Sequence, residues 1–196
     1  MTIALETPKI KYISLEEYLA SEEVSDYKNE YINGEVIPMT GGTTKHNQII
    51  LNLIAELISK FKTLNYLVFS ENVRVWLPEL QIYTYPDVMI IAGEVEYQGD
   101  RTDTITNPQV IFEILSPATQ SYDRHDKFEY YRTIPTFREY FLVDQNRQHI
   151  QQFSKKSAKE WIMHEYDAED QHITLTSTEF QIALADIYSK VKLEAE

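Results

Sequence analysis

The 196-residue sequence contains no cysteine, which removes disulfides, thiolate metal sites and cysteine nucleophiles from consideration. Glycine and proline are sparse, at 5 and 7 residues, so neither a collagen-like nor a low-complexity disordered chain fits the composition. No apolar run approaches the roughly 20 residues that span a bilayer. Met1–Ile13 has neither the basic region nor the apolar stretch of a secretion signal; the expectation is a soluble, cytoplasmic protein with no membrane partner. A glycine-rich phosphate loop is also missing, which argues against P-loop nucleotide hydrolysis. Positive charge is scarce: 18 Lys and Arg against 31 Asp and Glu give a formal charge of −13. Proteins that grip phosphate backbones ordinarily carry a basic face, because neutralised phosphates release counterions. The acidic balance therefore weighs against tight, non-specific nucleic-acid binding by the isolated chain.

What is there has the make-up of an ordinary globular chain, 43% hydrophobic and 25% charged. Its length suits one domain over residues 1–196 with a sizeable core. Ser14 followed by Glu17 has capping-box spacing and predicts a short helix through Leu19. Glu30–Ile37 is two alternating runs around Asn33-Gly34, the strongest local hairpin signal. Within Thr44–Leu64, apolar residues from Ile49 to Phe61 recur with helical period and predict a long amphipathic helix. Tyr66–Ser70 and Asn72–Leu77 read as strands. Pro86–Ala92 and Gln109–Leu115 are apolar almost throughout, as strands buried on both faces are. The polar stretch between them, Gly93–Thr106, reads as a loop. A helix is expected over Tyr122–Thr133, a strand over Glu139–Asp144, and three antiparallel strands within Arg147–Leu175, before a short terminal helix. The predicted class is α/β with a C-terminal antiparallel strand extension.

Two acids interrupt the apolar strands. Asp87 opens one and Glu113 lies inside the other, among isoleucines and a phenylalanine. A carboxylate in such a setting is costly unless it is paired, hydrogen-bonded or metal-bound. Two on neighbouring strands repel, and a divalent cation removes that repulsion; Mg²⁺ takes one or two carboxylates, with water and phosphate completing its shell. Taken singly, each acid also fits a turn cap or an exposed strand position. Asp123 and Lys127 stand four apart and share one helix face. That spacing alone equally describes a surface ion pair, but this helix follows directly on the Glu113 strand and its Ser116-Pro117 break.

In order, Tyr85-Pro86-Asp87-Val88, then Pro108 and Ile111 through Thr119, then Asp123-Arg124, Lys127 and Tyr131, then Glu139–Asp144 resemble one family. It is the restriction-endonuclease-like family expanded in cyanobacteria, formerly catalogued as a domain of unknown function and placed in the PD-(D/E)XK nuclease superfamily. The resemblance runs from Tyr18 to Phe153 and takes in Glu30, Ile32-Asn33-Gly34-Glu35 and His46. It implies a restriction-endonuclease-like core, a mixed central sheet flanked by helices, and Mg²⁺-dependent hydrolysis of DNA, with Mn²⁺ able to substitute. The superfamily's Pro-Asp falls on Pro86-Asp87 and its second acid on Glu113, with the backbone carbonyl of Ile114 as a further metal ligand. The motif's lysine would stand two residues after that acid, where this chain has Leu115; the resemblance implies that Lys127 supplies it from the following helix. Glu30 and Asp123 are then supporting residues. Glu30 could complete the outer shell by orienting ligands or waters; His46 could do the same, but is expected instead in a polar network at a helix start, outside the catalytic set. A homodimer suits the cutting of two antiparallel strands.

Two other readings stay open. A catalytically silent binding or regulatory module is favoured by the acidic total and by Leu115, and a metal-dependent phosphodiesterase could act on RNA. The 14 tyrosines could offer base-stacking platforms, but their single, scattered placement points to packing. The Lys155-Lys156…Lys159 cluster reads as a solvated hairpin turn.

Overall fold

The computed structural model describes residues 12–39 and 41–194; of Met1–Ile13, the stretch read for a secretion signal, only Tyr12 and Ile13 fall among them. Helix α1 (Leu15–Glu22) starts at the capping box that Ser14 and Glu17 predict. Strands β1 (Asn29–Ile32) and β2 (Glu35–Pro38) form the predicted hairpin. Asn33 and Gly34 at its tip both take positive φ, 46° and 98°, which a two-residue turn of this hand requires and Asn-Gly tolerates. Helix α2 (Thr44–Phe61) is capped by the Thr43 hydroxyl, which accepts the His46 N–H, and it buries Ile49, Ile50, Leu53, Leu57 and Phe61.

Eleven further strands are β3 (Tyr66–Ser70), β4 (Arg74–Leu77), β5 (Ile82–Thr84), β6 (Val88–Ala92), β7 (Thr104–Ile105), β8 (Val110–Leu115), β9 (Glu139–Asp144), β10 (Ile150–Ser157), β11 (Glu160–Tyr166), β12 (His172–Leu175) and β13 (Phe180–Ala183). They form a six-stranded sheet in the order β11-β10-β9-β8-β6-β3 and, with the hairpin, a five-stranded sheet in the order β2-β1-β5-β4-β7. The larger sheet is mixed: β8 and β9 run parallel, and its other pairs are antiparallel.

Helix α2 covers one face of that sheet, packing on Val88, Ile90, Phe112, Ile114, Phe141 and Val143. The opposite face, carrying Met89, Ile91, Ile111, Leu115 and Leu142, packs on Val75, Leu77 and Ile82 of the smaller sheet. Covering on both sides explains why β6, β8 and β9 are apolar at successive positions. Phe112 and Phe141 stack with ring centroids 4.5 Å apart across the parallel pair.

Several expectations need correction. The stretch Gly93–Thr106 is not wholly loop, since β7 pairs with β4. Strands β5 and β7, of three and two residues, are too short to show alternation. The third C-terminal strand, β12, does not extend β10 and β11 but pairs with β13. The helix predicted to begin at Tyr122 begins at Gln120 and is not uniform: α3 (Gln120–Tyr122) passes into a π turn, Asp123–Lys127, and then α4 (Phe128–Tyr131). Helix α5 (Leu184–Ile187) is the terminal one. Among the described residues, no helix is long and apolar enough to cross a membrane.

Candidate active site

Strand register brings Asp87 and Glu113 together. β6 and β8 pair with Val88 opposite Phe112; one step further sets Asp87 opposite Glu113, and opposed residues project from the same face. It is the face that carries Met89 and Ile111. Asp87 Oδ2 accepts the Ile114 backbone N–H at 2.7 Å and lies 3.1 Å from His46 Nε2. Because a strand residue's N–H and C=O leave toward the same neighbour, the Ile114 carbonyl faces the same edge of β8 as Asp87.

Glu113 is 2% exposed. Its Oε1 accepts the Lys127 ammonium at 3.1 Å and the Tyr131 hydroxyl at 2.8 Å. Lys127 Nζ also lies 3.3 Å from Asp123 Oδ1 and 3.8 Å from Glu30 Oε1. Glu30 is held on β1, where the Thr84 hydroxyl from β5 donates to it. The i→i+5 bonding of a π turn widens the coil, a form common at functional sites. Here it turns both Asp123 and Lys127 inward, while His125 and Asp126 between them stay exposed.

Three buried carboxylates, on Glu30, Glu113 and Asp123, thus surround one buried ammonium, and the buried Asp87 carboxylate lines the same cavity as Glu113, Asp123 and Lys127. Burial pushes the Glu113 carboxyl well above its usual range; Lys127 opposes the shift, and the Asp87 and Asp123 charges add to it. Asp123 is raised as well, chiefly by burial against the pull of Lys127. Burial disfavours charge on Lys127, but Glu113, Glu30 and Asp123 overcome it and hold the ammonium protonated well above its ordinary value. His46 follows the same balance: burial lowers its pKa, the Asp87 carboxylate raises it, and the net shift is upward.

The cluster lines a cavity of about 260 Å³. Gly42 stands at its lip, and a Cβ there would meet His46 Nδ1 at 2.8 Å, so glycine lets the imidazole lie against Asp87. Among the described residues, Asp87 Oδ1 and Glu113 Oε2 accept no hydrogen bond, and Asp123 Oδ1 is buried without one despite its ion pair. Free carboxylate oxygens and an excess of negative charge are the donor set of a hard divalent cation. No three His, Asp or Glu side chains among the described residues close into a ready-made metal cage; Mg²⁺, which keeps several waters, does not need one. The residues present fit the metal.

All the acids singled out in the sequence, and Lys127, therefore converge. Sequence reasoning set His46 aside, named Tyr131 only as part of the resemblance and gave it no role, and missed Thr84. The spacing of Tyr131, four after Lys127 and eight after Asp123, marks it as sharing their helix face. The basic cluster lies on the β10–β11 hairpin as expected, with Lys156 in an exposed pair with Glu160.

Residues 15–185 match the Uma2 family, described as "Putative restriction endonuclease". The chain belongs to this family. Two proteins of Synechocystis sp. are similar over nearly their whole length. "Uncharacterized protein sll1609" is 36% identical over 83% of this chain and 92% of that protein; "Uncharacterized protein slr1290" is 30% identical over 90% and 91%. A crystal structure from Anabaena variabilis, described as a putative nuclease belonging to DUF820, superposes with a TM-score of 0.72 over 90% of this chain and 98% of that one, at 19% identity. That neighbour carries the fold. Membership of the Uma2 family supports a nuclease-like function, with nucleic acid as the substrate class.

Proposed function

We propose that the chain is an endonuclease that hydrolyses DNA phosphodiester bonds with Mg²⁺, or Mn²⁺ in its place, held by Asp87, Glu113 and the Ile114 carbonyl. The observation that carries this reading is the convergence of Asp87 and Glu113 on one sheet face with Lys127 Nζ 3.1 Å from Glu113. When bound, the cation supplies Lewis acidity toward the scissile phosphate and the attacking water. Lys127, pinned by three carboxylates, keeps its charge and is placed to stabilise negative charge growing on the phosphate. Tyr131 and Glu30 fix the positions of Glu113 and Lys127. His46 and the Ile114 N–H hold Asp87 Oδ2, leaving Oδ1 for the metal.

The test is incubation with supercoiled plasmid and with RNA, in Mg²⁺ and in Mn²⁺, for wild type, Asp87→Asn and Glu113→Gln. Plasmid nicking by wild type alone, with all three proteins folded, is the expected result. Cleavage of RNA but not plasmid would move the substrate. Absence of cleavage together with absence of calorimetric Mg²⁺ uptake would reduce the chain to a silent scaffold, and full activity in either variant would remove that carboxylate from the site.

A further inference from the structure

Beside the charged cavity lies a second one of about 340 Å³. It opens between the β1–β2 hairpin and the turn that follows β8. Ile37, Pro38 and Met39 form one wall, and Ala118 and the Tyr122 ring form the other. Met39, Ala118, Thr119 and Lys127 border both cavities. The two spaces differ in chemistry. One is ringed by carboxylates, whereas the other presents apolar surface, with Ile37 36% exposed. The half-buried Tyr122 ring is fixed by the Lys127 ammonium 5.5 Å from its centroid and by Tyr130 at 6.2 Å.

We propose that this second cavity seats the unstacked base of the nucleotide adjoining the phosphate bound at Asp87, Glu113 and Lys127, so that the substrate is a strand whose base there is unpaired or flipped out. The inference rests on the nuclease reading of the neighbouring cluster. A base is joined to its phosphate through one sugar, so its seat must adjoin the phosphate site; this cavity does so at Lys127 and Thr119. A base has apolar faces and a polar edge. Ile37, Met39 and the Tyr122 ring suit the faces, while the Thr119 hydroxyl and Glu30 offer partners to the edge. Charge supplies a second argument. A chain of net charge −13 gains little from counterion release, so its grip on a strand must draw on contacts that salt does not weaken. Stacking of a base on an aromatic ring is such a contact, worth about tenfold or more in affinity per base. A fully paired duplex has to give up a stacked pair first.

The experiment measures binding, with Ca²⁺ replacing Mg²⁺, of short oligonucleotides carrying 2-aminopurine or an abasic residue at successive positions. Ile37→Trp, which fills the cavity from its exposed wall, is compared with wild type at matched melting midpoints. The expected result is a fluorescence change at one position only, loss of about tenfold in affinity when that position is abasic, a similar loss and no fluorescence change in Ile37→Trp, and weaker binding of the paired duplex. Equal affinity of the abasic and intact strands, or of duplex and single strand, overturns the base seat while leaving the nuclease reading in place. Failure of wild type to bind any DNA or RNA overturns both.

Discussion

Lys127→Met separates the charge of the buried ammonium from its volume, because methionine replaces the aliphatic stem without the head. In the native fold Nζ lies 3.1, 3.3 and 3.8 Å from carboxylates of Glu113, Asp123 and Glu30, and its side chain is 7% exposed. Removing one partner from a buried ionic cluster costs roughly 3–5 kcal/mol, because the charges left behind have no compensation. For a chain of this length that is a fall in melting midpoint of roughly 6–20 °C near pH 8. The pH dependence has a definite sign. Glu113 is already raised above its usual range, and Lys127 is the charge that restrains the shift; without it the folded-state pKa rises further above the unfolded one. Such a group adds stability below the unfolded pKa and loses it as pH rises through the folded value. The variant should therefore regain stability on acidification toward about pH 5. Mg²⁺ should also restore part of the loss, by about 2.7 kcal/mol at a hundredfold excess over its Kd. Differential scanning fluorimetry across pH, with and without Mg²⁺, reads all three effects. A wild-type melting midpoint near pH 8, or a deficit that neither acid nor Mg²⁺ relieves, would refute the electrostatic account of the cluster.

Three further substitutions probe the imidazole beside Asp87 and an ion pair elsewhere in the fold. His46→Gln should lower Mg²⁺ affinity or cleavage by roughly 10- to 100-fold, the usual effect of losing a group that orients a ligand. Gly42→Ala should act in the same direction by displacing the imidazole; the double variant should be no worse than the poorer single one in calorimetry, and additive losses would uncouple Gly42 from His46. Asp103→Ala leaves Arg74, 3% exposed, without the carboxylate it pairs with. Asp103 is itself about half exposed, so solvent screening holds the expected loss to about 1–2 kcal/mol in urea melts at neutral pH. Arg101, with Arg74 beside it, holds the Asp103 carboxyl well below its usual range. The pairing is therefore present above the unfolded value of about 3.9 and lost only as pH falls through the lower folded one, so the deficit should shrink on acidification; a deficit that grows as pH falls would contradict it.

How far the sequence exposed this architecture depended on whether a feature was local. The Asn33-Gly34 turn, the Ser14 capping box and the period of α2 are properties of a few neighbouring residues, and each stands where its pattern put it. Asp87 and Glu113 were legible for a related reason: a charge in an apolar strand is costly enough to demand an explanation. Their meeting was not legible, because it depends on a register between β6 and β8 that 17 intervening residues, Gly93–Gln109, leave open. His46 was set aside because its partner is fixed by the docking of α2, and nothing in Thr43–His46 names Asp87. The π turn escaped for the same reason. Asp123–Lys127 has the composition of an exposed α-helical ion pair, and only the pull of Glu113 and Glu30 on the ammonium reveals the wider coil as an inward-facing one.

Leu115 shows how position in the chain and position in space come apart. It stands two residues after Glu113 on the same strand face, where the superfamily resemblance would place a lysine, yet it is 5% exposed and packs with Ile111, Tyr140 and Leu142. An ammonium projecting from that point would enter apolar packing. From the helix, Lys127 reaches Glu113 Oε1 by a different route and finds two more carboxylates waiting. The chemistry proposed here depends on where Nζ lies relative to the two acids, and that location is reachable from either backbone. Moving the lysine to the helix also places Asp123 and Tyr131 on the same face, each four residues from it, so the widened turn delivers the cation and a further acid, and α4 directly after it delivers the hydroxyl that steadies Glu113.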